Sequence, residues 1–171
     1  MNRSFRDDFV ELFNGHFHRL YRYLDRLSGD AELSADIAQE TFMKLYQRGA
    51  LPEAPGAWLV TVATNLFRNA YTTRERRSHL LKVVPDAQMF ADRPIEPAHA
   101  TDSPDVQRRV RAVLDRMPER ERRMLLLRAE GYSYKDIAEA LDLRGASVGT
   151  LLARAKRAFR DLYEEKSDAL E

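Results

Sequence analysis

A chain of 171 residues with no Cys forgoes disulfides, thiolate nucleophiles and Cys-ligated metal clusters together. Its 28 Lys and Arg against 27 Asp and Glu leave a net charge of +1, so overall charge selects neither a nucleic acid nor a membrane as partner; only its distribution can. No apolar run approaches the roughly 18 to 20 residues of a membrane span, and Met1 to Phe9 is polar, so a soluble, cytoplasmic protein without membrane insertion is expected.

Apolar residues recur at helical spacing through most of the chain and strand-like alternation is scarce, which predicts an all-α fold. A first helix starts after Ser4, with Asp7 at the capping-box position, and carries an apolar stripe of Phe9, Leu12, Phe13, Phe17, Leu20, Leu24 and Leu27 until Ser28-Gly29-Asp30 ends it. A second spans about 33 to 47 and stops at Arg48-Gly49, before a loop punctuated by Pro52, Pro55 and Gly56. The third runs from Ala57 to about Arg77. One side of it is apolar through Leu59, Val62, Ala63, Leu66, Phe67 and Ala70. The other carries Trp58, Thr61, Asn65, Arg68, Thr72 and Arg76, with Asn69 beside them and Arg77 beyond. An aromatic ring, amides, hydroxyls and guanidinium groups in one line suit unstacked bases and a phosphate backbone, although a lone Trp serves equally well as core.

From 83 to 104 the periodicity fails. Pro85, Pro94, Pro97 and Pro104 interrupt it, and Asp86, Asp92, Glu96 and Asp102 outnumber Arg93, as expected of a flexible linker. Beyond it lie four helical segments, at about 105 to 117, 119 to 130, 134 to 141 and 146 to 163. Two small helical domains, 1–82 and 105–171, joined by the linker are therefore expected. Ser133 caps the short third segment with Asp136 at the capping-box position, and Asp142-Leu143-Arg144-Gly145 turns into the last, giving a helix-turn-helix.

In that last helix Val148, Leu152, Ala155, Phe159 and Leu162 form the buried stripe, leaving Thr150, Arg154, Lys156, Arg157 and Arg160 outward. From Arg144 to Arg160 there are five cations and no anion, so a nearly neutral protein presents a basic helix where a helix-turn-helix reads DNA. The second helix differs: Asp36, Gln39, Glu40 and Lys44 surround Phe42 in a mixed acidic and apolar surface suited to a protein partner.

Three strings resemble those of the extracytoplasmic-function (ECF) group of bacterial sigma-70 factors. Ala35-Asp36-Ile37-Ala38-Gln39-Glu40-Thr41-Phe42 is similar to the segment with which the family binds core RNA polymerase. Ala57-Trp58-Leu59 through Asn65 to Arg74-Glu75-Arg76-Arg77 resembles its promoter-melting helix. Met117-Pro118-Glu119-Arg120-Glu121-Arg122, followed by Gly131-Tyr132-Ser133-Tyr134-Lys135-Asp136-Ile137-Ala138, resembles its minus-35-reading domain. The resemblance implies a non-enzymatic initiation factor that brings core polymerase to promoters and helps melt them, with an anti-sigma factor as further partner. Asp36, Gln39, Glu40 and Phe42 would meet the polymerase. Trp58, Thr61, Asn65, Arg68, Asn69, Thr72, Arg76 and Arg77 would read the minus-ten element, with the loop Gly49 to Gly56 and Asn65 holding a base flipped from the non-template strand. Arg144, Ser147, Thr150, Arg154, Lys156 and Arg157 would serve the minus-35 element. Two departures stand out: Asn69 lies where many members carry Asp, and Gly149 and Leu151 take the places of a common basic pair.

Rival readings are a two-domain DNA-binding regulator that never engages polymerase, and a sigma mimic that sequesters an anti-sigma factor. No catalytic residue, metal or cofactor is expected: His16, His18, His79 and His99 make no metal spacing with carboxylates, and no Ser-His-Asp set or Gly-rich phosphate loop is present.

Overall fold

The computed structural model describes residues 4–81 and 103–168, with side chains described to residue 73 in the first stretch and to 166 in the second. The expected linker falls almost wholly outside them. Among the described residues the chain forms seven helices and no strand: α1 (Phe5–Ser28), α2 (Ala31–Arg48), α3 (Pro55–Leu81), α4 (Pro104–Arg116), α5 (Glu119–Ala129), α6 (Tyr134–Ala140) and α7 (Gly145–Asp168).

Local chemistry explains the boundaries. The Ser4 side chain accepts from the Asp7 amide at the start of α1, and Gly29 closes that helix at φ 72°, a left-handed conformation in which a Cβ would be strained. Asp30 accepts from the Leu33 amide, so α2 begins two residues earlier than periodicity alone predicts. Ser103 likewise caps α4 through the Val106 amide, with Pro104 in its first turn. At α6 the expected capping box is present: Ser133 Oγ accepts from the Asp136 amide at 3.1 Å and donates to its carboxylate at 2.9 Å.

Helices α1–α3 form one lobe and α4–α7 the other, and the lobes dock. Leu20, Leu24, Leu27, Ile37, Leu45 and Leu59 belong to the same hydrophobic cluster as Met124, Leu127, Ile137, Val148 and Leu152. α3 packs against α6, and α1 against α5. Consequently α3 has a second buried face that its apolar pattern did not announce, made by Gly56, Val60 and Thr64 at four-residue spacing. A Cβ on Gly56 would lie 3.2 Å from the Asp136 carboxylate of α6, so this approach leaves room for glycine alone unless Asp136 shifts.

Polar groups bind this seam as well. Arg123 on α5 is 6% exposed and donates from Nε to Tyr23 Oη of α1 at 2.9 Å and from a terminal nitrogen to Thr64 Oγ1 of α3 at 3.1 Å. Glu130, the residue after α5, meets three arginines of α1.

Candidate nucleic-acid and polymerase interfaces

On α2 the proposed polymerase-binding residues separate into two groups. Asp36, Gln39 and Glu40 are exposed, with Glu40 3.8 Å from Lys44 one turn on. Phe42 is 2% exposed and packs its ring against Phe9, Phe13 and Phe17 of α1, at centroid separations of 6.2, 5.0 and 5.9 Å. Phe42 is therefore chiefly a core residue of this lobe. It reaches solvent at the floor of a shallow groove of about 360 Å³, where Gln39, Met43 and Tyr46 form one wall and Phe9 and Phe13 the other. Met43 and Tyr46 are exposed and widen this surface; their positions i+4 and i+7 from Gln39 could have flagged them.

The α3 stripe is largely in place. Thr61, Asn65, Arg68, Asn69 and Thr72 are all exposed on α3. Thr61 and Thr72 direct their hydroxyl protons to the carbonyls of Ala57 and Arg68, at 2.9 and 2.8 Å, leaving their oxygens free to accept. Trp58 is half-buried and packs on the core, so much of its ring serves the fold. Arg68 is already engaged: its terminal nitrogen lies 3.1 Å from the Glu119 carboxylate at the start of α5. Arg76 and Arg77 lie on the α3 backbone, but their side chains are outside the described residues. In the preceding loop Gly49 adopts φ 72°, and Gly56 at its end is buried against α6.

In the second lobe α6 and α7 form the expected helix-turn-helix, with Asp142 at φ 53° in the turn. Val148, Leu152 and Ala155 are buried, which fixes the outward side of α7. Arg144, Thr150, Arg154 and Arg157 are exposed, Ser147 is half-buried, and among the described residues no ion pair occupies these arginines. Lys156 parts from them. At 100° per residue it projects roughly opposite Arg154, and it lines a cleft between the lobes together with Phe159 and Arg160. Lys156 is itself exposed, on the flank of α7 nearer the cleft than Arg154 and Arg157.

The departure at Gly149 has no steric cause. A Cβ there would meet Cε2 of Tyr134 at 3.5 Å, an ordinary contact, so neighbouring side chains would accept alanine. No group of His, Asp and Glu able to hold a metal ion occurs among the described residues, and no described helix is long and apolar enough to cross a membrane.

Comparison with known proteins gives this arrangement its family. Residues 12–77 match the model of sigma-70 region 2, and residues 107–159 that of sigma-70 region 4. The chain is 33% identical over 168 residues to the ECF RNA polymerase sigma factor EcfG of Rhodopseudomonas palustris, covering 91% of this chain and 81% of that protein. The chain is a sigma factor of the ECF group. It is also 32% identical over 171 residues to the ECF sigma factor SigL of Mycobacterium tuberculosis, covering 90% of this chain and 88% of the relative. Among solved structures, the sigma factor RpoE of Bartonella quintana, in complex with the anti-sigma factor NepR, matches with a TM-score of 0.66 at 23% identity. That match covers 92% of this sigma factor and 97% of the other chain, and it is a likeness of fold. The all-α, two-lobed reading of the sequence is borne out, with α1–α3 as region 2 and α4–α7 as region 4.

Proposed function

We propose that this sigma factor acts without catalysis of its own, bringing core RNA polymerase to promoters and assisting their melting in the cytoplasm. Asp36, Gln39 and Glu40, with the groove floored by Phe42, are the polymerase face. The Trp58 to Arg77 stripe of α3, with the loop Gly49 to Gly56, reads the minus-ten element and holds the melted non-template strand. Arg144, Ser147, Thr150, Arg154 and Arg157 read the minus-35 element in duplex form. The units are 1–82 and 105–171, with 83–104 between them, and an anti-sigma factor is a further partner, by likeness to the RpoE–NepR pair.

The observation that carries this reading is the simultaneous exposure, on one chain, of the α3 amide and hydroxyl stripe, the basic side of α7 and the Gln39–Glu40 face of α2. A DNA-binding regulator that never meets polymerase would leave the α2 face without a purpose. Run-off transcription with bacterial core polymerase on a genomic promoter library tests the proposal, and co-purification with core separates it from the regulator. Promoter-directed transcripts are expected. Their absence, with no co-purification, would refute the reading. Asn65→Ala should bind duplex promoter but open it poorly, because unstacking costs a few kcal/mol that the base pocket must offset. A premelted template should restore its activity.

A further inference from the structure

Tyr134, the first residue of α6, is a large ring left 46% exposed beside the last helix of the helix-turn-helix. Its Cε2 is the atom that a Cβ on Gly149 of α7 would meet, at 3.5 Å. Arg128 near the end of α5 sets its guanidinium over the same ring, 5.2 Å from the centroid, and is itself held by donating to the Tyr132 carbonyl at 3.2 Å. Contacts from α5 and α7 therefore place the ring, in addition to the helix that carries it. A side chain placed before binding loses little rotamer freedom when it meets a ligand.

The side of α7 next to this ring has no reach of its own. At 100° per residue, Gly149 lies between the buried Val148 and the outward Thr150. Ala146 and Ala153 fall within about 60° of Gly149 around the helix, and both are exposed. None of the three extends beyond a methyl group. Arg154, the first long cation of the helix, leaves it on the other side of Thr150. Tyr134 thus occupies the ground that a long side chain at position 149 would otherwise cover.

We propose that Tyr134 is a specificity-determining residue for the minus-35 element, its ring packing on the methyl group of one thymine in the major groove. The inference rests on the minus-35 reading above and adds a reader from outside α7. Thymine's methyl is the apolar group that base edges offer in the major groove, and an aromatic ring matches it, whereas the guanidinium forks of Arg154 and Arg157 suit guanine. Gly149 acts here as the ring's seat. Alanine at that position would make only an ordinary contact and keep the ring in place, while a branched side chain would take the space the ring uses.

Holoenzyme assembled from the full chain and core polymerase is titrated with a promoter duplex recovered by run-off transcription. Each thymine of its minus-35 element is exchanged in turn for deoxyuridine, which lacks only the methyl. At one position the exchange should weaken wild-type binding about fourfold, the equivalent of one buried methyl group. Tyr134→Ala should be indifferent to the exchange at that position and respond like the wild type at the others, which makes residue and methyl a coupled pair. Tyr134→Phe retains the ring and should retain the wild-type response. Gly149→Leu should abolish the response by displacing the ring, and it covers a failure of Tyr134→Ala to fold, while Gly149→Ala should preserve it.

A purely structural role for Tyr134 would weaken binding to every duplex alike and leave the uracil response intact. That result, a wild type indifferent to uracil at every position, or a response lost in Tyr134→Phe would overturn the proposal. Holoenzyme without minus-35 sequence preference in any chain would defeat the promoter reading, and the thymine contact with it.

Discussion

Arg123 and Tyr23, 100 residues apart in sequence and both buried, share a hydrogen bond of 2.9 Å that joins α5 to α1. A guanidinium in an apolar seam tolerates burial only while its protons have acceptors, and Tyr23 supplies one that no other described residue replaces at Nε.

Tyr23→Phe keeps the ring and removes the acceptor. It should destabilise the chain by about 1 to 3 kcal/mol, the range for stranding a buried donor. Urea unfolding checks this, and in a double-mutant cycle with Arg123→Met most of the loss should disappear, because the stranded donor is then absent.

The α2 surface yields a contrast between neighbours. Gln39→Ala should weaken binding to core polymerase while changing stability by no more than about 0.5 kcal/mol, as for an ordinary surface site. Phe42→Ala should cost roughly 3 to 5 kcal/mol, since its ring packs on three phenylalanines of α1. Pull-down with core polymerase beside thermal melts of each variant separates the two effects.

For α7 the readout is salt dependence. Each phosphate contact contributes about −0.9 to the slope of log K against log[salt], so Arg154→Ala with Arg157→Ala should flatten it by up to about 2. Lys156→Ala should leave the slope unchanged, because that side chain lines the cleft between the lobes. Fluorescence anisotropy on a promoter duplex across a salt series measures both.

His16 gives the fold a pH dependence. Burial, and after it the charge of Arg19, push its imidazole below the ordinary value of 6.5, while Asp136 pulls the other way. The unfolded chain then binds the proton better than the folded one, so stability rises with pH across the window between the lowered pKa and 6.5. Stability should fall as pH drops below about 6.5, and His16→Gln should reduce that fall in urea titrations. Asp25, whose carboxyl burial raises, acts with the opposite sign at lower pH.

The helices were legible because their determinants are local. Apolar spacing, Ser4 and Ser133 as caps, Gly29 and Gly131 as stops, and the turn before α7 each act within a few residues. The docking seam was not legible. Arg22 and Arg123 are charged residues on helices whose apolar stripes point elsewhere, Glu130 follows the end of α5, and nothing in a single sequence marks which charges will be covered. Val60 and Thr64 read as the flank of an amphipathic helix until a second lobe lies against them. Lys156 stands apart for a simpler reason: counting outward cations treats the exposed arc of α7 as one face, whereas one flank of that arc borders the cleft between the lobes.

One exposed contact joins the two lobes at the stripe proposed to meet DNA. Arg68, on the α3 reading stripe, pairs with Glu119 of the other lobe at 3.1 Å, with both side chains more than half exposed at 57% and 56%. Such a pair contributes little to stability, so its importance is as competition: a phosphate and Glu119 claim the same guanidinium. Any DNA strand that captures Arg68 removes a tie between the lobes, and any loosening of the lobes surrenders a cation to the strand. If the stripe meets DNA as proposed, strand capture by Arg68 and loss of the Arg68–Glu119 contact are linked in the thermodynamic sense, each favouring the other by the same factor.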